Sequence, residues 1–290
     1  MVMDDIYLLK DNQIPFPLTQ IPQPPKKLYI KGMLPKEGSK VLCIVGSRKH
    51  SSYGEGACRK LIAGLKGYNI CIVSGLAIGI DGVAHRAALD AGLQTIAFPG
   101  SGLDEKILYP LQHSRLAKEI LFAGGGLISE FEMNQTGAHW TFPQRNRLMA
   151  GISEATLVIE AAHKSGTLIT SRLALDYNRT VSAVPGPITS RLSEGPNRLI
   201  REGATPITCS EDILEMLGFN RPENGAVQKE LPLDLSENER KIVQLLKIEP
   251  VTIEMLIMKT GLPVQEVQQA VSLLEIQNLI STSSSKLSLL

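Results

Sequence analysis

Val41-Leu42-Cys43-Ile44-Val45-Gly46-Ser47-Arg48 is the stretch that decides the fold. Five apolar residues run without alternation and stop at a glycine, a serine and an arginine. An unbroken apolar run reads as a strand buried on both faces, as in a parallel sheet. Tyr53–Lys66 then reads as a helix, so residues 46–48 form the turn between a first strand and its first helix.

The same alternation continues to about Phe219. Further apolar runs stand at 70–74 (ICIVS), 94–98 (QTIAF), 127–129 (LIS), 156–160 (TLVIE) and 181–184 (VSAV). Helical stretches fall at 80–91, 113–123, 143–151 and 167–178. Strands alternating with helices imply parallel strands and right-handed crossovers. The expected core, 39–219, is therefore a doubly wound, Rossmann-like α/β domain with a mostly parallel sheet. Its ligands belong beyond the carboxyl ends of the strands. Every strand exit there is small or polar: Gly46-Ser47-Arg48, Ser74-Gly75, Pro99-Gly100-Ser101-Gly102, Ser129-Glu130, Glu160-Ala161 and Pro185-Gly186. Converging turns of that kind expose backbone N–H groups with little side chain in the way.

Residues 1–38 carry Pro15, Pro17, Pro22, Pro24, Pro25 and Pro35 and no clear period. They read as a strap laid on the core, with a short edge strand at Leu28–Ile30 closing on Gly32. Residues 220–234 read as a linker. Residues 235–290 read as a small winged-helix-like domain: Ser236 and Glu239 form a capping box, Gly261 makes a turn, Pro263 opens another helix, and ISTSSSKLSLL forms a ribbon. That domain carries five basic and six acidic residues, net −1, and its third helix (263–279) has no Lys or Arg. A DNA reader needs positive charge toward phosphates, so a protein–protein role fits it better.

Net charge over the 290 residues is +1, so any anion site is local rather than global. Cys43, Cys58, Cys71 and Cys209 are scattered without CxxC pairing, as buried thiols of a reducing cytoplasm would be. There is no signal-peptide pattern and no apolar run long enough to cross a bilayer, so a cytoplasmic protein without membrane contact is expected. The five histidines lack metal-ligand spacing. No metal and no cofactor is expected, and no Gly-x-Ser-x-Gly elbow supplies a nucleophile.

Four stretches carry the chemistry. Gly46-Ser47-Arg48 has neither the GxGxxG nor the GxxxxGK[ST] spacing, yet Ser47 offers a hydroxyl and Arg48 a fork for phosphate. The alternative is a surface arginine after an ordinary turn. In Ser74-Gly75-Leu76-Ala77-Ile78-Gly79-Ile80-Asp81, Asp81 is placed to cap or orient the helix start, and His85 follows four residues on. A structural hydrogen bond between the two is favoured over acid–base work. His139-Trp140-Thr141-Phe142-Pro143-Gln144-Arg145-Asn146-Arg147 interleaves arginines with aromatics, which suits a single strand of nucleic acid. Core rings and ion-paired arginines are the plainer reading. Ser165-Gly166-Thr167 opens a helix and makes an anion seat or a simple cap.

Taken in order, VGSR, SGLAIGIDGVAH, GLDEKILYP, ISEF, FPQRNRLMAG, EAAHKSGTLIT, AVPG and GPNRLIREGA closely resemble the DprA (Smf) family of bacterial DNA-processing proteins. The resemblance is strong over roughly Phe16–Phe219 and weaker beyond. It implies a non-catalytic protein that binds and protects incoming single-stranded DNA in natural transformation, loads the RecA recombinase on it, and forms a homodimer. By position, it implies that Gly46, Ser47 and Arg48 hold a phosphate, with Ser74 and Gly75 beside them. Phe142, Arg145, Asn146 and Arg147 would lie along the strand, and Ser165, Gly166 and Thr167 would complete the pocket. Many members carry an N-terminal helical domain for which this chain leaves no room. Many also have a lysine where His139 stands. If His139 does that lysine's work, affinity for DNA rises as pH falls, because only the imidazolium neutralises phosphate. Other readings are a nucleoside monophosphate phosphoribohydrolase or a nucleotide sensor. The former class carries PGGxGTxxE, where this chain has HKSGTLIT, without the paired glycines or the downstream glutamate.

Overall fold

A computed structural model describes residues 5–219, 235–246, 251–277, 279–283 and 286–289. The chain divides at residue 221 into two compact units. The linker read over 220–234 lies outside the described residues.

The larger unit is built on one nine-stranded sheet. Its parallel part comprises β3 (Lys40–Val45), β4 (Ile70–Ser74), β5 (Gln94–Ala97), β6 (Gly126–Ser129), β7 (Ala155–Val158), β8 (Thr180–Ala183) and β9 (Thr205–Pro206). Two strands precede them, β1 (Ile6–Leu8) and β2 (Tyr29–Gly32), giving the order β1-β2-β6-β5-β4-β3-β7-β8-β9. From β3 the chain winds one way through β4, β5 and β6, then returns to place β7 on the other side of β3. The topological switch point is therefore between β3 and β7, where ligands of such sheets bind.

The unbroken apolar runs are explained by burial on two faces. Val41, Cys43 and Val45 of β3 pack with α1 (Phe16–Thr19), α5 (Thr141–Ile152) and α6 (Thr167–Asp176). Leu42 and Ile44 pack on the opposite face with α2 (Ser52–Ala63), α3 (Ile80–Asp90) and α8 (Ser210–Met216). Each large aliphatic side chain so buried contributes about 1.5–3 kcal/mol. Two further helices, α4 (Ser114–Phe122) and α7 (Glu194–Arg201), complete the layers.

Burial of the three thiols Cys43, Cys58 and Cys71 pushes each up to about 12, so they are small hydrophobes rather than nucleophiles.

The N-terminal segment differs from expectation in one respect. β2 is not an edge strand: it pairs antiparallel with β6 on one side and with β1 on the other. Three-residue β1 is too short to show a period. Leu18, Ile21 and Leu28 anchor the segment by burial against the sheet. Gly32 ends β2 at φ +88°, and a Cβ there would come within 2.6 Å of a Leu121 methyl.

The smaller unit has α9 (Glu237–Leu246), α10 (Ile253–Thr260), α11 (Val264–Ile276) and an antiparallel hairpin of β10 (Ile280–Ser283) and β11 (Lys286–Leu289). The Glu239 carboxylate accepts the Ser236 N–H at 2.6 Å, and the Glu239 N–H reaches the Ser236 hydroxyl at 3.3 Å. Gly261 closes α10 in the left-handed conformation, φ +66°. Ile242, Leu256, Val267, Val271 and Leu274 give this unit a core of its own. Among the described residues, no helix is long and apolar enough to cross a membrane.

Candidate nucleic-acid interface

At the switch point the chain leaves β3 through Gly46-Ser47-Arg48, and beside it leaves β7 toward Ser165-Gly166-Thr167. The Thr167 hydroxyl donates to the Gly46 carbonyl at 3.1 Å and accepts from the Ser165 hydroxyl at 3.0 Å. The turn after β4 crosses the same place. The Ile80 N–H donates to the Ser47 carbonyl at 3.1 Å. Gly79, at φ +86°, permits that approach, since a Cβ there would fall 2.6 Å from the Arg48 Cα. Three strand exits are thereby laced into one rim. The hollow they enclose is about 570 Å³ and is also lined by Phe142, Arg145 and Asn146.

The rim carries the charge. Arg48 and Lys49 are exposed. The Arg48 guanidinium carbon lies 5.1 Å from the centroid of the half-buried Phe142 ring, a cation–π contact that leaves the fork available to an anion. Phe142 is aimed by the start of α5, where the Thr141 hydroxyl sits 2.6 Å from the Gly100 carbonyl and 2.8 Å from that of Ala138. α5 begins at Thr141, two residues before Pro143.

Below the rim the polar groups are structural. Arg145 is buried and donates from Nη1 to the Phe98 carbonyl. The Asp81 carboxylate accepts the N–H groups of Gly75 at 3.1 Å and Ala77 at 3.4 Å. Burial pushes the Asp81 carboxyl up, against the pull of Arg145, and pushes Arg145 down, against the pull of Asp81. Asp81 thus holds the turn after β4 and does not cap α3. Nor does it bond His85. The His85 Nδ1 lies 2.7 Å from the Thr95 hydroxyl, which donates its own hydrogen to the Ile72 carbonyl at 2.9 Å. The expected Asp81–His85 hydrogen bond is replaced by two separate ones.

The structure gathers Gly46, Ser47, Arg48, Phe142, Arg145, Asn146, Ser165, Gly166 and Thr167 around one hollow. It sets four expected residues elsewhere. Ser74 is fully buried and donates to the Ile44 carbonyl at 2.7 Å. Gly75 lies in an adjoining notch. Arg147 is buried, paired with Glu130, and donates to the Gln23 carbonyl at 2.6 Å. His139 is exposed on the turn before α5, next to Trp140, whose ring meets Phe131 edge-on at 5.6 Å. Lys49 also lines the hollow; its place directly after Arg48 is the one signal the sequence offers for it. Among the described residues no group of three or more His, Cys, Asp or Glu side chains is placed to hold a metal ion.

These features together are a doubly wound sheet with a crevice at its switch point, lined by Ser47, Arg48, Lys49, Ser165 and Thr167. The chain belongs to the DNA recombination-mediator protein A family, whose model matches residues 5–218, and residues 227–284 match the DprA winged helix domain. Protein Smf of Escherichia coli K12 is 45% identical over 206 residues, covering 69% of this chain and 54% of that protein. DNA processing protein DprA of Streptococcus pneumoniae R6 is 38% identical over 218 residues, covering 75% of this chain and 73% of that one. The S. pneumoniae DprA structure superposes with a TM-score of 0.68 at 35% identity, over 74% of this chain and 75% of that chain. A Helicobacter pylori DNA processing protein A structure, described for its single-stranded DNA binding mode, superposes with a TM-score of 0.66 at 28% identity, over 73% of this chain and 95% of that chain. The chain spans about half the length of the E. coli relative.

Proposed function

We propose that the chain binds single-stranded DNA along the carboxyl edge of its sheet without cleaving it, protects the strand, and loads the RecA recombinase on it during transformation or recombination, acting as a homodimer. The observation that carries this reading is the exposed Arg48 fork resting on the Phe142 ring, at the lip of a hollow lined by Ser47, Lys49, Ser165 and Thr167. Charge for the phosphates and a ring face for the bases are what a strand requires, and both are sequence-tolerant. Single-stranded DNA binding by the H. pylori relative supports the same ligand. A binding rather than a catalytic role is supported by Asp81, a carboxylate that lines the hollow, and by His85, one helical turn further on. Each is buried and bonded within the fold.

The test is a salt series of oligonucleotide binding. Single strands bind more tightly than duplex, and affinity falls as salt rises. Arg48→Ala weakens binding for every base composition and lowers the log–log salt slope by about 0.7, the value of one phosphate contact on a single strand. Equal affinity for single strands and duplex at low salt would sink the proposal. Strand-dependent co-sedimentation with RecA and light scattering of the free protein test the two protein partners.

A further inference from the structure

The motif GLDEKILYP has no part in the hollow described above, yet its tyrosine continues the same surface. Tyr109 meets Phe142 edge-on with centroids 5.7 Å apart, and Phe142 in turn carries Arg48 at 5.1 Å. Despite that contact Tyr109 is 47% exposed, and Ile78 beside it is 42% exposed. Between Arg48, Ile78, Tyr109, Gln112 and Phe142 lies a notch of about 40 Å³. It shares Tyr109, Pro110 and Gln112 with a broad trough of about 710 Å³ that is also lined by Lys106, Thr136 and Gly137. A soluble protein gains nothing in stability from leaving a tyrosine face, an isoleucine and a leucine (Leu111, 68% exposed) in water. Among the described residues Lys106 has no carboxylate partner, and Gln112 is exposed with an amide able both to donate and to accept.

We propose that this notch and trough form a second nucleobase subsite, in which a base of a single strand stacks on the open face of Tyr109, with Gln112 at the base edge and Lys106 at the next phosphate. The inference rests on the strand-binding reading above and extends it. The strand does not end at Arg48 but runs over Phe142 toward Tyr109. The ligand is a nucleobase rather than a peptide, because the ring face is continuous with the Arg48–Phe142 pair and is bracketed by a cation at each end. That alternation of charge and ring suits a sugar–phosphate backbone carrying bases.

The experiment is a length series of oligo-dT binding to the full chain, with Arg48→Ala, Tyr109→Phe, Tyr109→Leu and Tyr109→Ala. Tyr109→Leu keeps an apolar contact for Phe142, so it remains informative if Tyr109→Ala unfolds. Short oligonucleotides that fill only the Arg48 hollow bind Tyr109→Leu as they bind the wild type. Longer ones bind Tyr109→Leu about five- to a hundredfold more weakly, the span that one lost base–aromatic stack produces. Tyr109→Phe retains wild-type affinity at every length. A 2-aminopurine probe is quenched at one position of the longer oligonucleotide, and Tyr109→Leu relieves that quenching. If Tyr109→Leu binds all lengths like the wild type, with quenching unchanged, the subsite does not exist. Should Arg48→Ala still lose binding in that experiment, only the extension falls; should it bind normally, the strand-binding reading falls as well.

Discussion

Arg48 and Arg145 are the same residue type on one hollow, and their surroundings give them opposite uses. Arg48 is exposed, carried by a turn that glycines at 46 and 79 allow to pass close beneath α3. Arg145 is buried with its charge facing the Asp81 carboxyl and the Phe98 carbonyl. A pattern of basic and aromatic residues cannot separate the two, because burial is set by elements distant in sequence. His85 shows the same dependence and yields a pH prediction. Burial, then the nearby charge of His113, pushes its imidazole down to about 3 from an ordinary 6.5. The folded state thus excludes a proton that the unfolded chain accepts. Below pH 6.5 the unfolded state binds more protons, so stability falls with falling pH down to about 3, by at most about 1.4 kcal/mol per pH unit from this group. Above 6.5 both states are neutral and the contribution is flat. Urea unfolding of His85→Gln across this range has a shallower acid slope than wild type. Identical slopes would show that His85 is protonated as easily folded as unfolded.

At the scale of the elements, much of the sheet was legible in the sequence. The runs at 41–45 and 70–74 are apolar at every position because both faces are covered, and they became β3 and β4. β1, and the place of β2 inside the sheet rather than at its edge, were not legible. Three residues carry no period, and a strand's neighbours are not written in its own composition. Nor was the use of Arg147, which α5 turns toward the N-terminal strap. Glu130, at the end of β6, pairs with it, and the Gln23 carbonyl accepts from its other nitrogen. Both side chains are about nine-tenths buried, at 11% and 8% exposure. The contact ties strap, sheet and α5 together. Removing one partner of such a pair strands a buried charge, so Glu130→Ala lowers stability by about 3–5 kcal/mol. Because Arg147 does not line the hollow, the folded fraction of that variant binds oligo-dT as the wild type does. Loss of affinity in excess of the unfolded fraction would return Arg147 to the strand's path.

At the scale of the molecule, the two units are built alike in one respect and unlike in another. Each has its own apolar core, Leu42 and Ile44 with their neighbours in one and Ile242 with Leu256 and Leu274 in the other. Among the described residues, only the larger presents a cation beside a ring face, Arg48 on Phe142. The third helix of the winged-helix unit, α11, has no Lys or Arg, and residues 235–290 sum to −1. A winged helix normally reads DNA with that helix in the major groove, where phosphates on both sides demand positive charge. Here α11 carries Glu266 and Glu275 with exposed Val264, Leu273 and Ile276, and no positive charge to face phosphates. Residues 1–221 alone are therefore expected to bind oligo-dT within about threefold of the full chain, a difference of about 0.6 kcal/mol. Their salt slope should equal that of the full chain, since no phosphate contact is lost. Residues 222–290 alone should leave duplex DNA unshifted at low salt. A shallower slope for the truncated core would mean that the C-terminal unit contributes phosphate contacts despite its charge, and strand binding would then belong to both units.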